Sequence, residues 1–357
     1  MNNLKVSLCV VAYNEEGFLP NLLNDFKNQT YPHGLTEIVL VDSVSTDNTR
    51  QIMQAFADED NGFYSVLVAE NPKKVQASGW NVAITHATGD VIIRIDAHTH
   101  IPAEFTELNV KNLESGEAVS GGPRPCLIED STNWKRTLLE VENSLFGSSI
   151  NKCRRETEKT YVKTMFHAAY RKEVFENVGG FNENLLRTED NEMHYRIREA
   201  GYKLSFDSDI NSYQYARSNL KKMIKQKYGN GKWIGLTLGV SPGCISLFHL
   251  IPFSFLGGIV LTTLLACFGL WYFSAAMWGL YALFAGANTI ISIINDGFIP
   301  HKLFMPFLFL ILHSSYGIGT LVGLIQMPLK RKTLKSCAAI DKVRDILLEK
   351  KNSTVTQ

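Results

Sequence analysis

The sequence predicts an α/β domain built on a mostly parallel sheet and followed by a helical membrane anchor. Three observations carry this. Short β-rich runs alternate with helical patterns in the N-terminal half, an acidic or polar residue closes each run, and no Asp, Glu, Lys or Arg occurs in the 63 residues from Trp233 to Asn295.

The first run, Val6–Ala12, is too short for a signal sequence. It leads into Tyr13-Asn14-Glu15-Glu16 rather than a small-residue cleavage site, so the head is expected in the cytosol. A helical stretch at 16–27 precedes a second run at 37–41, which ends on Asp42. Ser45-Thr46-Asp47 then offers side-chain oxygens to the free amides of a helix over about 48–58. The rhythm continues with a strand at 64–69, a helix at 75–88 and a strand at 91–95 that ends on Asp96. Strands separated by helices imply a mostly parallel sheet covered on both faces.

The charge-free stretch far exceeds the ~20 apolar residues that span a bilayer core. Two crossings are expected at 247–269 and 272–294, with a third in the uncharged run 303–329. The overall net charge of +1 and 45% hydrophobic content are averages over a polar head and an oily tail. Lys221, Lys222, Lys225, Lys227 and Lys232 precede the anchor without an acid, and residues 330–351 hold eight basic against three acidic side chains. Both flanks therefore suit the cytosolic face. Three crossings would put the head and the basic tail on opposite sides, so parity stays open, with 233–250 and its Ser241-Pro242-Gly243 break a candidate re-entrant segment. The expected division is 1–219 catalytic head, 220–246 amphipathic interfacial segment, 247–329 about three transmembrane helices and 330–357 basic tail. The six cysteines, Cys9, Cys126, Cys153, Cys244, Cys267 and Cys337, show no zinc spacing and read as reduced packing residues. No nucleic-acid role is indicated, because the basic residues cluster beside the apolar segments and lack a recognition motif.

In parallel α/β sheets the ligand sits beyond the carboxyl ends of the strands. Asn14-Glu15-Glu16, Asp42 and Asp96-Ala97-His98 should therefore gather on one rim although they are far apart in sequence. Each carboxylate alone could serve only as a helix cap or solvated loop residue, and the convergence of all three argues for a site.

The motifs Val10-Val11-Ala12-Tyr13-Asn14-Glu15-Glu16, Val41-Asp42-Ser43-Val44-Ser45-Thr46-Asp47-Asn48-Thr49, Gly89-Asp90 with Ile95-Asp96-Ala97-His98, and Thr188-Glu189-Asp190 follow in order. Together they resemble glycosyltransferase family 2, the inverting GT-A fold, over about residues 4–233, and within it the membrane-anchored succinoglycan-type glucosyltransferases. The resemblance implies a Rossmann-like head that transfers a hexose, expected to be glucose, from a UDP-sugar. Asp190 would be the catalytic base with Glu189 beside it, since an inverting transfer needs a carboxylate to take the acceptor proton. Ala12, Tyr13, Glu15, Asp42, Lys74 and Asp96 would line the nucleotide-sugar pocket, with Lys73 beside Lys74. Asp96 and His98 would hold Mn2+ or Mg2+ against the leaving diphosphate, and the imidazole tilts the choice towards manganese. His100 reads as a surface imidazole, and Arg124 and Arg217 as exposed arginines that could approach acceptor or diphosphate.

The chain departs from processive members of the family, which carry Gln-x-x-Arg-Trp. Here residues 226–233 read Gln-Lys-Tyr-Gly-Asn-Gly-Lys-Trp, so one sugar per encounter is expected. A soluble donor needs no membrane, so the anchor points to a membrane-held acceptor, expected to be a polyprenyl-diphosphate-linked saccharide in polysaccharide biosynthesis at the inner (cytoplasmic) membrane. A catalytically inactive membrane scaffold and a nucleotidyltransferase are the alternatives.

Overall fold

The computed structural model describes residues 4–128, 131–147, 159–215, 219–335 and 337–355. Arg217 and Cys153 lie outside the described residues. The chain forms two compact units: Met1–Pro125 with Cys153–Tyr215 and Thr333–Gln357, and Cys126–Lys152 with Ala216–Lys332. This division is not contiguous in sequence. The C-terminal segment expected to be a separate basic tail belongs to the catalytic unit, and residues 126–152 belong to the helical one.

In the catalytic unit, strands β1 (Val6–Ala12), β2 (Thr36–Asp42), β3 (Ser65–Glu70) and β4 (Val91–Asp96) are joined by helices α1 (Leu19–Lys27), α2 (Thr49–Asp58) and α3 (Gln76–His86). β1 pairs in parallel with both β2 and β4, placing Ala12 level with Asp42 and Val11 level with Asp96. Beyond β4 the order continues through β9 (Ala169–Arg171), β6 (Val119–Gly121), β10 (Leu204–Phe206) and β8 (Thr160–Val162), with β9 and β8 antiparallel to their neighbours. The sheet is thus mostly parallel, as the alternation predicts. Its β1, β2 and β4 are almost wholly buried, because helices cover both faces. One core gathers Leu8, Leu22, Ile38 and Phe105, and the other Trp80, Phe175, Phe181 and Phe206.

Element ends move by small amounts with clear reasons. The first helix starts at Leu19 rather than at residue 16, because Glu16 is spent capping: its Oε2 accepts from Asn48 N at 3.0 Å. Helix α2 begins at Thr49, whose amide donates to Asp47 Oδ1 at 3.0 Å. β5 (Thr99–His100) pairs with β11 (Tyr213–Tyr215). α4 (Phe105–Glu114), α6 (Lys172–Val178) and α7 (Glu189–Glu199) complete the framework, and α12 (Ala338–Val355) packs Val343 and Leu347 into the core with Trp80 and Phe181.

The helical unit contains β7 (Cys126–Leu127), α5 (Asn133–Asn143), α8 (Leu220–Thr237), α9 (Ile251–Cys267), α10 (Trp271–Asp296) and α11 (Met305–Lys335), the last ending in the catalytic unit. Among the described residues three helical stretches are long and apolar enough to cross a membrane: Leu247–Cys267, Trp271–Asp296 and Pro300–Ser353. α8 differs from a simple surface helix lined by lysines. Lys227 is buried and ion-paired to Glu142 of α5 at 2.9 Å, because its side of α8 is covered by packing.

Candidate active site

The strand order reverses between β1 and β4, and a crevice opens at such a point beyond the carboxyl ends of the strands. The loops there are braced against each other. Asn14 Oδ1 accepts from Thr46 N at 2.8 Å, Asn14 N donates to Ser45 Oγ at 3.0 Å, and Glu15 N donates to Thr49 Oγ1 at 2.7 Å. Asn14, Val44 and Lys74 all have positive φ, at 55°, 58° and 57°. A β-branched residue such as Val44 is strained in that region, and strain of this kind is kept where a surrounding site imposes it.

Of the residues read as nucleotide-contacting, Ala12 and Asp42 are buried, Glu15 is half-buried, and Tyr13 and Lys74 are exposed. Asp42 accepts the Ser45 amide on both oxygens, at 3.2 and 3.3 Å, so it already holds the β2–α2 loop in place. Lys73 is engaged with Glu183 at 2.6 Å. His100 pairs with Asp25 at 2.8 Å, in keeping with a structural role.

Asp96 and His98 face the same rim. Asp96 Oδ2 lies 3.3 Å from His167 Nε2 and 3.9 Å from Arg124 Nη1, while Oδ1 has only a long contact to Gln76 at 3.4 Å. Burial alone would raise the pKa of Asp96, but the His167 hydrogen bond and the Arg94 charge hold it well below the usual carboxylate range; burial pushes the His167 imidazole itself down, so Arg94 is the lasting positive charge. His98 Nδ1 lies 3.1 Å from Glu15 Oε1, and its Nε2 lies 2.8 Å from the Gln214 amide nitrogen. The tautomer that satisfies both carries its proton on Nδ1, which leaves the Nε2 lone pair facing Gln214. A carboxylate that fixes Nδ1–H and frees Nε2 is the support a metal-binding imidazole needs. Burial opposes a positive charge on His98, yet Glu15 and Asp96 raise its pKa, so the local field favours a cation. Among the described residues no three His, Cys, Asp or Glu side chains converge on one point. The Asp96 carboxylate and the His98 imidazole are donor types that suit a divalent cation.

Glu189 and Asp190 occupy the first turn of α7. There the helix dipole offsets part of their burial cost. Glu189 is only 4% exposed and its Oε2 has no hydrogen-bond partner, while Asp190 is half-buried and accepts from Asn191 N at 2.8 Å. Burial raises the pKa of both carboxyls, and for Glu189 the Asp190 charge adds to it. Asp190 is thus the more open of the two carboxyls.

Two residues at the site are absent from the motif reading. Arg94 stands on β4 two positions before Asp96. It is 8% exposed, its guanidinium lies 4.7 Å from the Trp80 ring centre and 5.5 Å from that of Phe181, and its Nε and Nη1 have no hydrogen-bond partner. Its positive charge acts on Asp96, Glu189 and Asp190 together. A strand places residues i and i+2 on one face, so the Arg94-Ile95-Asp96 spacing held a signal for it. His167 is the other: Nδ1 meets Ser212 at 2.9 Å while Nε2 faces Asp96 and Thr99. Its apolar neighbours in sequence carry no such signal. Arg124, read as exposed, is instead buried over the Phe166 ring at 3.5 Å.

Known proteins resemble this chain in sequence and in fold. The family described as Glycosyl transferase family 2 matches residues 7–179. The succinoglycan biosynthesis protein ExoA of Rhizobium meliloti is 31% identical over 63% of this chain and 68% of its own length. A dolichyl N-acetyl-alpha-D-glucosaminyl phosphate 3-beta-D-2,3-diacetamido-2,3-dideoxy-beta-D-glucuronosyltransferase of Methanococcus voltae is 26% identical over 90% of this chain and 97% of its own length. The fold, GT-A-like, also matches the mannosyltransferase PcManGT of Pyrobaculum calidifontis, solved with GDP-Man and Mn2+, with a TM-score of 0.52, 20% identity and coverage of 93% and 88% of the two chains. With this fold, these relatives and acidic motifs gathered on one rim, the chain belongs to glycosyltransferase family 2.

Proposed function

We propose that this glycosyltransferase is an inverting, divalent-metal-dependent enzyme. It transfers one hexose, glucose in the first instance, from a UDP-sugar to a polyprenyl-diphosphate-linked saccharide at the cytosolic face of the cell membrane. The observation that carries the reading is the different surroundings of two carboxyls: Asp96 lies 3.3 Å from His167 and 3.9 Å from Arg124, while Asp190 stands half-buried in the first turn of α7. One suits a cation and the other a proton.

Asp96 and His98 would hold the ion, which supplies the positive charge that stabilises the departing diphosphate. Ala12, Tyr13, Glu15, Asp42 and Lys74 would border the nucleotide, with Glu15 also fixing the His98 ring. Asp190 would accept the proton of the acceptor hydroxyl as its oxygen bonds to the anomeric carbon, and the bond from that carbon to the diphosphate oxygen breaks with its electron pair leaving on the diphosphate. Glu189 would stay behind it as a buried partner whose own ionisation is disfavoured by burial and by the Asp190 charge. General base catalysis of this kind typically contributes 10²–10⁴ in rate.

The lipid-linked acceptor is supported by the apolar helices and by the Methanococcus relative, whose name describes transfer to a dolichyl-phosphate-linked sugar along nearly the whole length of both chains. The test is a panel of nucleotide sugars presented to detergent-solubilised protein with Mn2+, Mg2+ or EDTA, with and without membrane lipid extract. The expected result is metal-dependent UDP release from one donor and a lipid-extractable product with inverted anomeric configuration. Metal-independent turnover would overturn the Asp96–His98 assignment, and transfer only to water-soluble saccharides would overturn the lipid-linked acceptor.

A further inference from the structure

We propose that α11 does not cross the bilayer and that the α9–α10 hairpin is the part of the anchor that enters its core, leaving head and C-terminal helix on one face. This rests on the membrane-associated reading above and resolves the parity that composition leaves open.

The first support is the C-terminal helix. α12 buries Val343 and Leu347 among Trp80, Phe175 and Phe181, and its Lys351 pairs with Glu176. Gly180 N donates to Ile340 O at 3.0 Å, and Asn182 Nδ2 donates to Leu334 O at 3.1 Å. At Gly180 a β-carbon would stand 2.7 Å from Val343, so the close approach of α12 requires the glycine. A segment this integrated with the catalytic core lies on the core's side of a membrane. The number of crossings between Tyr215 and Thr333 is therefore even.

The direction of α11 selects the helix that stays out. α8 and α11 touch through glycines in rising order. A β-carbon on Gly231 would meet Tyr316 O at 2.0 Å, one on Gly235 would meet Thr320 O at 2.5 Å, and one on Gly239 would meet Met327 Cγ at 2.4 Å. The two helices are thus parallel, and Met223 near the start of α8 shares a core with Leu308 and Leu312 near the start of α11. A crossing α11 that ends at the head would begin on the far side and carry the start of α8 with it. Yet Leu220 follows Tyr215 of the catalytic unit by five residues, a reach of at most about 18 Å against a hydrocarbon core of about 30 Å.

Burial agrees with this. α9 contains no buried residue and α10 only Ala285 and Thr289, as expected of segments surrounded by lipid. α11 is one-sided: Ile318, Leu321, Ile325 and Leu329 form an exposed stripe at helical spacing, while Gly317, Gly319, Thr320 and Gly323 are covered. A single apolar stripe suits a helix lying in the interface plane, and Lys330, Arg331 and Lys332 at its end suit anionic headgroups.

The test uses single-cysteine variants of the full chain, with the accessible native cysteines changed to serine, in sealed vesicles of mixed neutral and anionic phospholipid. Tyr64→Cys reports the head and Asp345→Cys the C-terminal helix. A membrane-impermeant maleimide should modify both under the same condition, and modification from opposite sides would overturn the proposal. Spin labels at Leu264→Cys in α9 and at positions 318, 321, 325 and 329 of α11 give depth from the ratio of oxygen to nickel-chelate accessibility. We expect a deep signal at 264 and one shallow depth along α11, whereas a maximum in the middle of α11 would overturn it. Complete release of the protein by a carbonate wash would instead sink the membrane reading itself, and the two failures are told apart because release removes every depth signal together.

Discussion

Two buried lysines of the helical unit and the Arg94–Glu189 corner of the other unit bury charge in opposite ways. In the helical unit the buried charges are satisfied: Lys302, fully buried, meets Glu140 at 3.0 Å and donates to Ser292 O at 2.8 Å, and Lys227 meets Glu142 at 2.9 Å. On the catalytic rim they are not, since Arg94 leaves Nε and Nη1 without partners and Glu189 leaves Oε2 without one. An unpaired buried polar group costs about 1–3 kcal/mol, so a fold that keeps several in one place does so for something other than stability. Paired charges here fix architecture. The unpaired ones at Arg94 and Glu189 are the part of that contrast on which the proposed site rests.

The sharpest way to break this contrast is at Asp190. Asp190→Asn should lower transfer 10²–10⁴-fold with little change in the unfolding temperature, measured as UDP release and by thermal denaturation in detergent. Unchanged activity would remove the base from the mechanism.

Lys302→Met should do the reverse. Stranding Glu140 without its cation should destabilise the helical unit by about 3–5 kcal/mol, while turnover per folded molecule stays near that of the parent. The double change Lys302→Met with Glu140→Leu should recover most of that stability. A fall in turnover equal to that of Asp190→Asn would show that the helical pairs are not merely architectural.

Leu347→Ala asks whether α12 is part of the catalytic core. It removes a side chain with no exposed surface and should cost about 2–5 kcal/mol in head stability. A neutral result would detach α12 from the core.

The smallest expected effect sharpens the rim itself. The pKa of Glu189 is higher in the folded state than in the unfolded chain, because burial disfavours its charge and Asp190 adds to that. The unfolded chain therefore releases this proton first, and stability falls as pH rises from the ordinary glutamate value to the raised one. Glu189→Gln should be nearly neutral at low pH and raise the unfolding temperature above that window. Arg94 works in the opposite sense on Asp190, so Arg94→Met should move the acid limb of the pH–rate profile to higher pH, together with a loss of rate. An unmoved profile would reduce Arg94 to packing against Trp80 and Phe181.

Much of the catalytic unit was legible in sequence because its signals are local. A β-rich run of about six residues closed by an acid, repeated between amphipathic helices, yields the parallel strands, their order of appearance and the rim that gathers Glu15, Asp42 and Asp96. What the sequence could not supply depends on contacts between distant segments. His167 reaches Asp96 across 71 positions in an apolar context, and Gln214 covers the nitrogen of His98 only because β11 pairs with β5. The parity of the anchor is of the same kind. Apolar length is a local property that α9, α10 and α11 share, whereas the face on which each ends follows from α8 lying parallel to α11 and from Val343 and Leu347 packing beneath Trp80. Composition determined that this chain has an oily region, and long-range packing decided which part of it the rest of the chain covers.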